Sequence, residues 1–170
     1  DIRLDGRGMA FAAPPLLRAG PVATDLAERI VRGLRVDPAG VRAMQWVDNG
    51  PGWIGVLLDS AQSVLELEID RDVLEGLDVG VIGPHPRGGL ADFEVRAFFS
   101  GGGVFEDPVT GSLNASLAQW LIGSGLAPPR YRARQGTAME RAGMVEIIQD
   151  GGRIWVGGTC ATCIEGSVRL

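Results

Sequence analysis

The sequence predicts an α+β domain in which strands outnumber helices, and three observations predict it. Short alternating or apolar runs bounded by Gly, Pro and Asn recur along the chain. Amphipathic helical spacing is clear in one long stretch, at Leu26, Ile30, Val31 and Leu34. A single helix, from about 110 to 123, is apolar on almost every side and therefore must be buried. The 170 residues, 45% hydrophobic and 22% charged, suffice for one well-cored domain, with no repeat, heptad or low-complexity run.

Arg3 to Ala12 reads as a hairpin or strand end, with Met9 and Phe11 alternating against small residues until Pro14-Pro15 stops it. Pro14 to Pro21 reads as a linker. A surface helix follows from about Asp25, which can cap it, and Gly33 and Pro38 bracket its end. Ala43 to Leu58 reads as two strands around Asp48-Asn49-Gly50-Pro51-Gly52, because Asn-Gly and Pro-Gly supply the positive φ that tight turns need. That loop is either a plain hairpin turn or a substrate contact.

Ser60 to Leu67 and Arg71 to Leu77 read as short helices capped by Asp59 or Ser60 and by Asp70. Val79 to Gly83 is a short buried strand, and His85 after it is expected to be solvated or structural. Phe93 to Phe99 is a strand with Phe93, Val95 and Ala97 on one face and Glu94, Arg96 and Phe98 on the other. Beyond the apolar helix come strands at Tyr131 to Gln135, Met144 to Gln149 and Arg153 to Gly157, the last two joined through Asp150-Gly151-Gly152. Arg130, Arg132 and Arg134 share one face, expected to be that of a solvated edge strand rather than an anion site. Thr159 to Leu170 reads as a closing strand, which would place Cys160 and Cys163 as core thiols rather than as a redox pair.

The side-chain inventory excludes several chemistries. All 16 basic residues are Arg, so a Schiff-base lysine and a phosphate-binding Walker lysine are absent from the sequence. One His and two Cys leave little for a catalytic triad or a His-rich metal site, and no metal is expected. A net charge of -5 argues against nucleic acid, and no apolar run has the length of a membrane span. A soluble, cytoplasmic protein with a small-molecule partner is the expectation. The first residues, Asp1-Ile2-Arg3-Leu4-Asp5, lack an initiator Met, which suggests a chain that starts partway through a longer one.

What remains is carboxylates, backbone amides and Arg, and these converge on Glu106-Asp107-Pro108-Val109-Thr110-Gly111-Ser112. A buried helix start offers free N–H groups and the positive end of the dipole, and Gly111 and Ser112 let an anion approach closely. An acid beside such a nest suits proton transfer. The alternative is that Asp107 is an ordinary helix cap with Pro108 at the first helical position.

The motif EDPVTGSLNASLAQWL resembles the second half of a phenazine-biosynthesis-like (PhzF-type) isomerase. Val95-Arg96-Ala97-Phe98, Arg134-Gln135-Gly136, Val156-Gly157-Gly158, Asn49-Gly50-Pro51-Gly52-Trp53 and Phe11-Ala12-Ala13-Pro14 extend the resemblance over essentially the whole chain. It implies a diaminopimelate-epimerase-like half: a curved sheet or barrel of mostly antiparallel strands around a central buried helix. It also implies cofactor-independent proton movement on a small carboxylated metabolite, commonly in a homodimer. Asp107 falls on the acidic position, and Gly111 and Ser112 fall on the amides that hold the substrate carboxylate, with Thr110, Asn49 and Gly50 beside them.

The family's glutamate and supporting histidine belong to an N-terminal half with no counterpart here, so the chain alone is expected to carry half a site and to be inactive. On this reading 1–13 are terminal strands of a largely absent N-terminal half and 14–21 a linker. The C-terminal domain is then 22–158, and 159–170 a closing strand returning toward the missing half. The other function weighed is a non-catalytic domain of the same fold that binds small carboxylates or self-associates.

Overall fold

A computed structural model describes residues 1–5, 8–101, 103–161 and 163–168; the side chains of Asp5 and Val104 are outside that description. Eleven strands are present among the described residues: β1 (Ile2–Asp5), β2 (Gly8–Ala12), β3 (Arg18–Pro21), β4 (Val41–Asp48), β5 (Trp53–Leu58), β6 (Asp78–Pro84), β7 (Phe93–Ser100), β8 (Val104–Asp107), β9 (Arg130–Gln135), β10 (Gly143–Asp150) and β11 (Arg153–Gly158). Four α-helices accompany them: α1 (Thr24–Leu34), α2 (Ala61–Leu65), α3 (Arg71–Leu74) and α4 (Gly111–Gly123).

The strands form one sheet in the order β1-β2-β11-β10-β9-β7-β6-β5-β4-β3, with β8 paired to β7 beside this path. Pairing is antiparallel except at β5–β6 and β7–β9. The path is open at β1 and β3 among the described residues, so this is a mixed α+β sheet and not a closed barrel.

Two layers cover the sheet because its strands alternate apolar residues to both faces. On one face Ile54, Val56, Val79, Val81 and Phe98 pack with Ile30 and Leu34 of α1, Val64 of α2 and Leu74 of α3. On the other, Trp53, Val95, Ala97, Ala133, Ile147 and Val156 pack with Leu113, Leu117 and Leu121 of α4. β5 is buried at every position for this reason. Gly55 and Gly80 face α4: an added Cβ would stand 2.8 Å from Trp120 and 2.2 Å from Leu113 respectively. Their missing side chains let the helix lie close against β5 and β6.

Most boundaries follow the sequence reading, and five features differ, one of them β8, a strand at Val104–Asp107 that the sequence reading did not place. Arg18–Pro21, expected in a linker, is strand β3 against β4, with the Arg18 guanidinium 3.5 Å from the Trp46 ring centroid. α1 begins at Thr24 after Ala23, with no side-chain cap, so Asp25 lies in its first turn. There a carboxylate still complements the helix dipole. β9 lies between β10 and β7 and is not an edge, although Arg130 and Arg132 are solvent-exposed as expected. The expected strand from Thr159 is not formed in the described residues 159–161 and 163–168. Both sides of the preceding β11 are already paired, to β10 and β2, so the segment inherits no open edge there. Cys160 and Cys163 are accordingly free and exposed, which corrects their placement in the core. Residues 6–7 of the first hairpin, the middle glycine of the loop after β7, and 162 and 169–170 of the expected closing strand lie outside the described residues.

Candidate active site

The acidic pair of the motif is divided by strand periodicity. β8 runs antiparallel to β7 with Asp107 opposite Ala97 and Glu106 opposite Phe98. Ala97 belongs to the α4 layer and Phe98 to the other, so adjacent carboxylates turn to opposite faces. Glu106 is committed to Arg96, whose Nε and Nη2 donate to its two oxygens at 2.9 and 2.7 Å. The Arg96 Nη1 also donates to the carbonyls of Leu67 (2.8 Å) and Val64 (3.3 Å), tying β8 to the end of α2. Asp107 alone is turned toward the start of α4.

Asp107 is not the cap of that helix. It ends β8; Pro108 and Val109 intervene, and Thr110 occupies the N-cap position with φ −114°. The Thr110 hydroxyl donates to Asp107 Oδ2 at 2.6 Å. Gln135, fully buried at the end of β9, holds this corner: its Nε2 donates to the Asp107 carbonyl and to Thr110 Oγ1, each at 2.9 Å. Its Oε1 accepts from the Thr110 N–H (3.0 Å) and from Asn114 Nδ2 (2.8 Å), and the same Asn114 nitrogen donates to the Thr110 carbonyl (2.9 Å). The Pro108–Val109 link is wedged between two glycines, since a Cβ on Gly136 would stand 2.7 Å from the Pro108 carbonyl oxygen and one on Gly143 2.4 Å from Val109.

No side chain caps α4. The N–H groups of Gly111, Ser112 and Leu113 have no acceptor among the described residues, which leaves three donors at the positive end of a 13-residue helix. The β4–β5 turn secures this start. Asn49 Nδ2 donates to the Ser112 carbonyl at 2.8 Å, and the Trp53 indole N–H donates to Ser112 Oγ at 3.0 Å. Asp48 Oδ1 accepts from the N–H groups of Gly50 (2.7 Å) and Gly52 (2.8 Å), so the Gly50 amide is engaged within its own turn. A cavity of about 540 Å³ opens beside Gly111, lined by Val109, Phe11, Met9, Met144 and Val156 among others; Asp107 and Ser112 are not in its wall.

The structure thus brings together five of the six residues singled out from the sequence, Asp107, Thr110, Gly111, Ser112 and Asn49, with Gly50 one residue further along the turn. Gln135, Asn114 and Trp53 were not anticipated. The available signal for Gln135 was its place as the third inward position of Arg130–Gln135 after Tyr131 and Ala133. A polar residue there must find a buried partner. His85 is structural, its Nε2 2.9 Å from Oε2 of the fully buried Glu94.

Known proteins share this arrangement of elements. An uncharacterized isomerase of Pseudomonas aeruginosa is 34% identical over 115 residues, 68% of this chain and 43% of that protein. One of Pasteurella multocida is 39% identical over 66 residues, 38% of this chain and 23% of the relative. The chain therefore spans less than half the length of these curated relatives. A PhzF-family phenazine biosynthesis protein of Enterococcus faecalis superposes with a TM-score of 0.71 at 21% identity, covering 99% of this chain and 60% of that one. A predicted epimerase from Pseudomonas aeruginosa gives 0.66 at 17% identity, covering 93% and 58%. At such identities the two structures speak to the fold alone. Residues 23–166 match the family described as phenazine biosynthesis-like protein, and the chain belongs to that PhzC-PhzF family.

Proposed function

We propose that this chain supplies one side of a cofactor-independent isomerase or epimerase site acting on a small carboxylated metabolite. The observation that carries the reading is the Asp107 carboxylate held within one turn of three uncapped helix N–H groups. In this mechanism the substrate carboxylate accepts from the N–H groups of Gly111 and Ser112. As a carbon-bound proton beside that carboxylate leaves, the electron pair of the broken C–H bond delocalises onto the carboxylate oxygens, where the amides and the dipole stabilise it. Asp107 takes or returns that proton. Thr110 and Asn49 hold the acid and the helix start in register, and Gly50 lets the turn lie near the bound molecule.

The proton acceptor or donor of the opposite face comes from residues beyond this chain, in an N-terminal half or a second copy. The sheet with α4 then corresponds to one half of a diaminopimelate-epimerase-like barrel. The names of the relatives, uncharacterized isomerases and a predicted epimerase, support this reading.

Incubating this chain, and the gene product in full, with a panel of small carboxylates in heavy water tests it. Deuterium incorporation into a substrate carbon, lost in Asp107→Asn, is the expected result; incorporation that survives Asp107→Asn at full rate refutes the role of Asp107. A second reading, carboxylate binding without chemistry, is favoured by one feature: the cavity reaches Gly111 but not Asp107. Amide shifts at Gly111 and Ser112 on adding a carboxylate, with no deuterium incorporation by the full-length protein, would select it.

A further inference from the structure

We propose that Gln135 is a positioning residue that sets the direction of the Thr110 hydroxyl and thereby reserves one oxygen of Asp107, Oδ1, for the transferred proton. The inference rests on the reading of Asp107 as the acid–base group.

The orientation of the Gln135 amide follows from backbone groups whose roles are fixed. One end meets the Thr110 N–H, which can only donate, so that end is Oε1. The other end meets the Asp107 carbonyl, which can only accept, so that end is Nε2. A flipped amide would oppose donor to donor and acceptor to acceptor. The two Nε2 protons then go to the Asp107 carbonyl and Thr110 Oγ1, and the two Oε1 lone pairs to the Thr110 N–H and Asn114. All four hydrogen-bonding capacities of the amide are used, in a residue with no solvent exposure.

The consequence passes to Thr110. Its oxygen already accepts from Gln135, so its single proton points along the remaining short contact, 2.6 Å to Asp107 Oδ2. That length is in the range of a charge-assisted O–H···O bond. Oδ2 is therefore an acceptor of a proton it does not own, whereas Oδ1 has no hydrogen bond among the described residues. The relay runs one way, from Gln135 through Thr110 to Asp107 Oδ2. A proton abstracted from substrate adds to the lone pair of Oδ1 and departs from it, and no proton leaves Thr110.

Two measurements test this. In the isotopically labelled wild-type chain, NMR should show a Thr110 hydroxyl proton that exchanges with water at least about tenfold more slowly than exposed threonine hydroxyls and lies close to the Gln135 side-chain amide protons. Thr110→Ser should retain such a signal. In Gln135→Met, which keeps the length but offers no donor to Thr110 Oγ1, the hydroxyl is no longer held to one direction, so its proton should exchange faster and its resonance should move.

In the deuterium-incorporation assay of the full-length protein, Gln135→Met and Thr110→Val should each slow the rate about tenfold or more with the half-saturating substrate concentration changed by less than about twofold, and the double variant should be no slower than the worse single one. Thr110→Ser should recover part of the rate lost in Thr110→Val. A wild-type hydroxyl that exchanges as freely as a surface threonine overturns the proposal whatever the variants do. So does full-rate incorporation by Gln135→Met, or a loss that appears wholly as weaker binding. Should the wild-type protein incorporate no deuterium, the proposed function fails while the hydroxyl measurement still decides the orientation, so the two failures are distinguishable.

Discussion

Replacing Arg96 with Met should be among the most damaging single changes outside the α4 layer. The substitution keeps an unbranched apolar stem but removes the two bonds to Glu106 and the two to the carbonyls of Val64 and Leu67. The side chains of the pair are 9% and 15% exposed, so Glu106 would be left with little water and no counter-charge. Breaking a buried ion pair by removing one partner costs about 3–5 kcal/mol, and the residual exposure of Glu106 places this case near the lower end, at about 3 kcal/mol. In a domain of this size each kcal/mol lowers Tm by about 2–4 °C, so a fall of roughly 6–12 °C is expected by calorimetry or circular dichroism.

The double variant Arg96→Met/Glu106→Leu removes both charges and should recover at least about 1 kcal/mol relative to the sum of the singles, because residues in direct contact couple by about 0.5–3 kcal/mol. Two results would refute the reasoning: an Arg96→Met protein within about 1 kcal/mol of wild type, or strict additivity in the cycle. Either would mean that the bidentate geometry contributes little and that β8 is held by its ladder with β7 alone.

Two further perturbations act on the core and on charge. Gly80→Ala places a methyl 2.2 Å from Leu113 in the α4 layer, an overpacking expected to cost about 1–3 kcal/mol; denaturant unfolding should show the loss, and Gly80→Ala combined with Leu113→Ala should be less destabilising than the two separately. Asp70 and Asp59 are both held below the usual carboxylate range, Asp70 chiefly by its bond from Arg35 with help from the Val73 N–H, and Asp59 chiefly by the Ser63 hydroxyl against a smaller opposing effect of burial. For carboxylates whose folded value is depressed, the stability they add is present above the unfolded value of about 4 and is lost as pH falls below it. Tm followed against pH should therefore drop below about pH 4, and the drop should be shallower in Asp70→Asn.

How much of this was legible in the sequence depended on whether the deciding partner was local. α4 could be read directly, since from Leu113 to Ile122 only Asn114, Ser116 and Gln119 are polar, and such a helix has no face to give to water. The two faces of β7 were readable from alternation alone. Ser60 and Asp70 were legible as caps because a cap bonds within its own turn. What failed was long-range. β3 exists because β4 offers an edge to Arg18–Pro21, and nothing within the Pro-bounded stretch announces that edge. The segment after β11 has strand-like composition but pairs with no strand among the described residues, and Cys160 and Cys163 are on the surface.

The motif at the site shows how one pairing converts a local ambiguity into chemistry. Glu106-Asp107-Pro108 fits a helix cap as well as a strand end, and the two readings assign different work to Asp107: as a cap it would quench the helix N–H groups, and as a strand residue it leaves them free. Spacing cannot choose between these. The choice is made by the pairing of β8 with β7, which sends Glu106 to Arg96 on one face and Asp107 to Thr110 on the other. Gln135, 25 residues after Thr110, then takes the Thr110 N–H that a helix cap would otherwise satisfy locally. An uncapped helix start beside a carboxylate is thus a product of strand register, and a change that slipped β8 by one residue would exchange the two acids between faces and remove the site while leaving the motif intact.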